Sequence, residues 1–183
     1  MSVYGIENGT IDKSTPLKPK SNYGKSKLLA EKLLKTLEDD SFKVAILRPP
    51  MVYGKGCKGN YPRLANLALM TPVFPKIDNK RSMIYIDNLS EFVKQIIDNS
   101  SGGIFFPQNA DYVNTSEMVR LIAEAHGKSI RFTKLFNPLI KLFKVSTVNK
   151  VFGDLMYYKD ISQFKHNDTV CDFMSSINNT ELR

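Results

Sequence analysis

The sequence has no tryptophan and only two cysteines and two histidines in 183 residues. Cys57 and Cys171 are too few to staple a small fold, and their spacing fits no zinc-binding pattern. His126 falls at the end of a helical pattern, and His166 stands in a polar stretch with no ligand partner at useful spacing, so no metal site is expected. No apolar run approaches the roughly 20 residues needed to span a bilayer. The first residues lack a basic segment followed by an apolar core, so no secretory signal is read. These absences make a reducing, cytoplasmic setting the expectation. There is no internal repeat and no low-complexity tract. Glycine is sparse, at ten residues. No glycine-rich strand–turn–helix of the kind that holds a dinucleotide pyrophosphate is read along the chain.

Acidic charge is also short: 18 Asp and Glu stand against 26 Lys and Arg, a net charge of +8. The lysines are scattered over helix faces and loops, with no dense basic block and no aromatic-interleaved RNA-binding signature, so nucleic acid is not an expected partner. A protein that takes a diphosphate ligand would carry local positive charge as well. The 42% hydrophobic content suffices for one core and about one domain.

Against these absences stands one informative stretch, residues 21–37, SNYGKSKLLAEKLLKTL. Leu28, Leu29, Leu33, Leu34 and Leu37 recur at helical spacing, and Ser21 or Asn22 can cap the start. Tyr23 and Lys27 lie four apart and therefore share a face. A phenol beside an ammonium is a usable acid–base pair, because the cation favours phenolate and lowers a tyrosine pKa of about 10 toward the working range. The plainer reading is a surface tyrosine beside a solvated lysine.

The other elements read in order. Residues 2–5, SVYG, look like the end of a buried strand. Residues 5–20, with Pro16 and Pro19, form a loop. KVAIL at 43–47 reads as a buried parallel strand stopped by Arg48-Pro49-Pro50. Residues 52–60 hold three glycines and read as a loop, after which Asn60 caps a helix with Pro62 in its first turn. TPVFP at 71–75 is a short edge segment, and residues 82–86 a strand with Met83 and Tyr85 on one side and Ile84 and Ile86 on the other. Asp87 or Asn88 then caps a helix with the stripe Leu89, Phe92, Val93, Ile96 and Ile97. A short strand at 104–106 and a helix from Asn114 or Thr115 to about Gly127 follow. Residues 136–145 read as a packed helix in preference to a membrane-surface segment. Residues 172–182 form a closing helix with Phe173, Met174 and Ile177 inward.

Four motifs come in a set order: SVYG at 2–5, PKSNYGKSK at 19–27, ILRPPMVYG at 46–54 and RSMIYIDNL at 81–89. Together they resemble the extended short-chain dehydrogenase/reductase family of NAD-dependent nucleotide-sugar epimerases and dehydratases, with a family-like tail at 150–155, KVFGDL. The resemblance implies an α/β fold: the C-terminal part of a Rossmann-type sheet, with its remaining parallel strands, and a small α/β substrate-binding subdomain. It implies a single domain shortened at its front, with residues 1–60 or so from the cofactor half and residues 61–183 mainly from the sugar-nucleotide half. The family's glycine-rich pyrophosphate turn is not matched. Its catalytic Ser or Thr, four residues before Tyr4, would fall before Met1.

The resemblance also assigns roles. Tyr23 is the acid–base group, and Lys27 lowers its pKa and holds the nicotinamide ribose of NAD or NADP. Pro49, Pro50 and Met51 match the turn that passes over the nicotinamide. Asn60 and Arg81 match donors to the phosphates of a UDP-sugar, Phe74 the aromatic against the base, and Asp154 the aspartate that takes the ribose. Each has a plainer reading: Asn60 as a cap, Phe74 as core. Val151 stands where the family has an arginine, with Lys150 as its substitute. Ser2 occupies the glutamate position of the dehydratases, which leaves an epimerase or a 4-keto reductase. No membrane partner is expected, and homodimerisation through the tyrosine helix is implied by analogy. Activity of the chain alone is not expected. The alternative is a non-catalytic nucleotide-sugar-binding remnant, or a subunit that completes a split enzyme.

Overall fold

The computed structural model describes residues 1–135, 137–138, 151–162 and 169–182. The segment read at 136–145 lies almost wholly outside the described residues, as do Lys150 and His166. Short strands, singly or in consecutive pairs, are interspersed with helices. A 3-10 turn at Ser2–Tyr4 precedes β1 (Gly9–Ile11), α1 (Asn22–Lys35), β2 (Ala45–Leu47) and β3 (Met51–Tyr53). Then come α2 (Tyr61–Met70), β4 (Val73–Pro75), β5 (Met83–Tyr85), α3 (Ile86–Asp98) and β6 (Gly103–Phe105). The chain ends with α4 (Thr115–Ala125), β7 (Arg131–Thr133), β8 (Leu155–Tyr157) and α5 (Phe173–Leu182).

The strands pair in parallel: β1 with β8, β2 with β6, β3 with β5 and β4 with β7. Parallel neighbours need long crossovers, and α2, α3 and α4 lie within them. This is the α/β arrangement the sequence implied. Two apolar clusters result. The larger gathers Tyr53, Tyr61, Leu64, Phe74, Met83, Tyr85, the inner face of α4 and Ile177. The smaller joins Val3, Tyr4, Ile11 and Tyr157, with Leu28 and Phe106 packed against it. Val3 and Tyr4 are buried as expected, but in a 3-10 turn and not a strand. β5 is buried along its whole length, and Ile86 already belongs to α3.

Several local expectations need correction. Asn60 precedes α2, yet its side chain makes no capping hydrogen bond. Neither Asp87 nor Asn88 caps α3, which starts from Tyr85; Asp87 sits in the first turn. Asn88 is buried, its carbonyl oxygen accepting from the N–H groups of Val170 and Cys171 while its amide donates to Cys171 O. Ile97 and Met174 are exposed, because the helices present only Asn88, Phe92 and Ile96, and only Ser176 and Ile177, fully inward. On α1 the apolar side faces outward. Gly24 is its one fully buried residue and Leu28 is half-buried, while Leu29, Leu33 and Leu34, and Leu37 just beyond the helix, are exposed.

Residues 52–60 differ from a plain loop: Val52 and Tyr53 belong to β3, and the rest carries a glycine spacing. Gly54, Gly56 and Gly59 follow G-x-G-x-x-G and stand between β3 and α2. All three adopt positive φ, at 145°, 74° and 126°. In a dinucleotide turn the third glycine permits close packing of helix on strand. Here nothing lies within 4 Å of the place a Cβ would occupy on Gly59, or on Gly56. The spacing is present and the packing that gives it meaning is not.

Candidate functional site

The start of α1 is fixed by two local devices. Ser21 Oγ accepts from Gly24 N at 3.1 Å, so the helix begins where the cap pattern placed it. Gly24 then lies against the 3-10 turn: a Cβ there would stand 2.5 Å from Ser2 O and 3.0 Å from Pro19 Cβ. This contact turns the neighbouring residue outward, and Tyr23 is 64% exposed. Lys27 Nζ stands 5.4 Å from the centre of the Tyr23 ring. The phenol and the ammonium therefore face one another at the surface, as four-residue spacing requires.

The turn after β2 lies beside the chain's first residue. Pro50 is buried, Pro49 half-buried, and Pro49 O accepts from the Met1 ammonium at 3.1 Å. Burial, reinforced by the Arg48 charge, pulls that ammonium down to about 6, with Glu31 opposing. Arg48 itself is buried against Glu31 and Tyr4. Burial depresses its pKa, but those two partners outweigh the penalty and leave it above the usual arginine value.

Arg81 and Asp154 meet where two segments cross. Arg81 exchanges backbone hydrogen bonds with Val113, at 3.0 and 2.8 Å, and its Nη1 donates to Gly153 O at 2.6 Å. It is 6% exposed. Burial lowers its pKa and the Asp154 charge opposes that. Asp154 Oδ1 accepts from Lys80 N at 2.7 Å, and Asp154 O from Gly9 N at 2.7 Å. The second bond continues into the β1–β8 pairing, which ties the crossing to the loop that leads into α1. Sequence-distant residues are thereby joined to the approach of the Tyr23 helix.

The remaining nominated residues fall apart from these two groups. Asn60 is half-buried at the head of α2. Phe74 is buried between Phe132 and Phe152, with ring centres 6.2 and 6.0 Å away, which is a core position. Two open concavities, of about 300 and 410 Å³, are lined by residues 68–72 with 128–130 and by Asp40, Ser41, Lys43, Ala45 and the end of α3. Neither includes a nominated residue. Among the described residues no cluster of three or more His, Cys, Asp or Glu could hold a metal, and no helix is long and apolar enough to cross a membrane.

Polar hubs that sequence reasoning missed hold these parts together. Asn79 Nδ2 donates to Thr115 Oγ1 at 2.9 Å, and its Oδ1 accepts from Thr115 N at 2.9 Å, which locks the strand entry before Arg81 to α4. Asn109 binds Tyr85 N, Asn88 and Tyr53. Their only sequence signal was a polar residue within or beside an apolar run.

Comparison with known proteins gives a consistent picture. The model of the NAD dependent epimerase/dehydratase family matches residues 1–106. A UDP-glucose 4-epimerase of Vibrio cholerae is 37% identical over 160 residues, 80% of this chain and 48% of that protein. The N-acetyl-alpha-D-glucosaminyl-diphospho-ditrans,octacis-undecaprenol 4-epimerase of Escherichia coli O157:H7 is 28% identical over 149 residues, 76% and 44% of the two chains. This chain thus spans about half the length of the curated relatives it matches. Among solved structures, UDP-glucuronic acid 4-epimerase from Bacillus cereus in complex with NAD has a TM-score of 0.68 at 21% identity, covering 98% of this chain and 56% of its own. A dTDP-4-dehydrorhamnose reductase from Clostridium acetobutylicum has a TM-score of 0.69 at 17% identity, covering 98% and 61%. These two share the fold.

Proposed function

Because the chain belongs to the NAD dependent epimerase/dehydratase family, we propose that it serves epimerase or 4-keto reductase chemistry on a nucleotide-sugar, with a UDP-sugar as the substrate class. Tyr23 is the acid–base group, taking the proton of a sugar hydroxyl, commonly that at C4. Lys27 is its cationic partner and donates to the nicotinamide ribose. Arg81, Asn60 and Asp154 hold the nucleotide diphosphate and ribose, with Phe74 behind the base, and so position the sugar. On this reading residues 1–60 or so serve the cofactor side and residues 61–183 mainly the sugar side. The observation that carries it is the Lys27 ammonium over the exposed Tyr23 ring at 5.4 Å, in a chain 37% identical to a 4-epimerase.

NAD or NADP, when bound, supplies the hydride acceptor. The residues here suit its nicotinamide end: Tyr23 and Lys27 are exposed donors beside each other, and Pro49 and Pro50 match the family's turn over the nicotinamide. They do not suit its pyrophosphate, since the third glycine of the 54–59 run packs on nothing. We therefore expect the 183-residue polypeptide to bind a nucleotide-sugar and not to turn it over unaided. A second reading, a non-catalytic sugar-nucleotide binder or one chain of a split enzyme, draws support from the leucines of α1 that no described residue covers.

A calorimetric titration with UDP-glucose tests the first reading. Sub-millimolar binding is expected, weakened about 10- to 100-fold in Arg81→Lys, which keeps the charge but loses the planar fork. Asn60→Ala, on an unpaired cap, is the variant least able to disturb folding. In the same samples NAD(H) and NADP(H) should leave the melting temperature unchanged. No UDP-glucose binding, or equal binding by all three proteins, removes the proposed sugar site.

A further inference from the structure

Arg48 stands at the carboxyl end of β2, directly before Pro49 and Pro50, and is 8% exposed. Its Nε lies 3.2 Å from each Glu31 carboxylate oxygen, and Nη2 donates to Oε2 at 2.6 Å. Nη1 donates to the Tyr4 hydroxyl at 2.8 Å. The guanidinium carbon is 5.4 Å from the centre of the Tyr4 ring and 5.9 Å from that of Phe106. Arg48 N donates to Phe105 O at 2.9 Å, and Arg48 O accepts from the Tyr157 hydroxyl at 2.8 Å. One residue thus touches α1, the first 3-10 turn, the strand end at β6 and β8.

Elsewhere α1 is held along the line that faces the first 3-10 turn. Gly24 rests on Ser2 and Pro19, and Leu28 packs on the smaller cluster. Glu31 lies four residues beyond Lys27 and eight beyond Tyr23, on an adjoining strip of the helix. The Gly24 and Leu28 contacts, four residues apart, lie on one line of the helix and leave it free to roll about that line. A bidentate fork resists rolling, because its two parallel hydrogen bonds hold only in one plane. Stability alone does not call for such a pair, since taking two charges out of water is costly and apolar residues of like volume hold elements as well or better. Apolar contact is non-directional, and the ion pair supplies direction.

We infer that Glu31, Arg48 and Tyr4 form a positioning cluster that sets the roll of α1 against the Pro49–Pro50 turn and so aims Tyr23 and Lys27. The catalytic value of that aim rests on the function proposed above. The aim itself does not.

The test uses Glu31→Gln, Arg48→Lys, the exchanged pair Glu31→Arg with Arg48→Glu, and Leu28→Ala as a control that removes packing from the same helix. Two quantities are read by nuclear magnetic resonance on the 183-residue protein: amide exchange along α1 against that in β5, and the Tyr23 ring signal during titration with UDP-glucose. In Glu31→Gln, α1 exchange should quicken by roughly tenfold or more relative to β5. Its Tyr23 response to UDP-glucose should be largely lost at unchanged affinity. Leu28→Ala should lower the melting temperature and keep the Tyr23 response, and the exchanged pair should restore both quantities. Should Glu31→Gln not fold, Arg48→Lys decides, because it keeps the charge and loses the fork. Native α1 exchange with a native Tyr23 response in the folded variant overturns the inference. If UDP-glucose leaves the wild-type Tyr23 signal unmoved, the catalytic reading falls and the exchange measurement alone decides this one.

Discussion

Replacing Tyr53 by phenylalanine should loosen the C-terminal helix from the sheet, and the structure sets the size of the effect. Tyr53 is fully buried at the end of β3. Asn109 Oδ1 accepts from Tyr85 N, which fixes the amide, so Nδ2 must be the donor to the Tyr53 hydroxyl at 2.9 Å. The phenol's own proton then goes to Ser176 Oγ at 2.7 Å, and Ser176 donates onward to Phe173 O at 2.6 Å. Burial pushes the phenol up to about 12, so it remains a neutral donor over the whole working range. Tyr53→Phe keeps the ring contacts with Tyr61 and Tyr85, whose centres lie 5.6 and 5.7 Å away. It deletes two hydrogen bonds and leaves a buried Asn109 N–H without its acceptor. Two net bonds at about 1 kcal/mol each, with part of the unsatisfied-donor penalty, give about 2–3 kcal/mol. For a chain of this size that is a fall of roughly 5–10 °C in melting temperature. Urea unfolding followed by circular dichroism, with Ser176→Ala and the double variant, closes the cycle, and a coupling of at least about 0.5 kcal/mol is expected. A Tyr53→Phe protein within 0.5 kcal/mol or so of wild type, or strictly additive changes, refutes the relay.

Three further outcomes are expected. Gly24→Ala gains about 1 kcal/mol of helix propensity, yet its Cβ would meet Ser2 O at 2.5 Å; a net loss of about 1–3 kcal/mol in urea unfolding should follow, and a more stable variant contradicts the contact. Asp12, Asp39 and Glu117 are held below their ordinary values of 3.8, 3.8 and 4.5, chiefly by hydrogen bonds from Ser14, Ser41 and Arg120 respectively. Their folded pKa values lie under the unfolded ones, so their contribution is complete above those ordinary values and is lost as pH falls through the lower, folded values; melting temperatures that stay level from pH 5 to pH 3 would contradict this. Leu29, Leu33 and Leu34 form an exposed patch on α1, and a second copy of the chain is the partner proposed for it; sedimentation velocity should show a dimer that Leu33→Asp converts to monomer, and identical profiles for the two proteins argue against that face.

The helices were legible where the signal was local. Ser21 and Asn114 cap α1 and α4 through their own side chains, and apolar periodicity located α3. Phe92 and Ile96 of its stripe are buried, but Ile97, one residue on, is not: the pattern marks which side is apolar and not how wide a strip the neighbours cover. The same limit explains α1. Its leucine spacing is helical, but inward orientation is decided by Gly24, whose missing side chain lets Ser2 approach. Asn88 shows the limit from the polar side. An asparagine near a helix start reads as a cap, yet here the carbonyl oxygen of its amide accepts from the backbone of residues 170 and 171, more than 80 positions away. No local rule contains a partner at that distance.

The nominated residues divide by exposure, and the division has a chemical consequence. Arg81 is buried and already bonded to Gly153, so it is held in place before any ligand arrives. Tyr23 and Lys27 stand in water on α1. An ammonium acts weakly on a phenol across bulk solvent, and its influence grows about fourfold if the effective dielectric constant falls from about 80 to about 20. A sugar held over the pair, with a cofactor ring covering its other side, would remove that water. Under the function proposed above, the Arg81 side is preorganised and the Tyr23 side would gain its strength only as water leaves, so the orientation of α1 would decide whether Tyr23 meets the right oxygen.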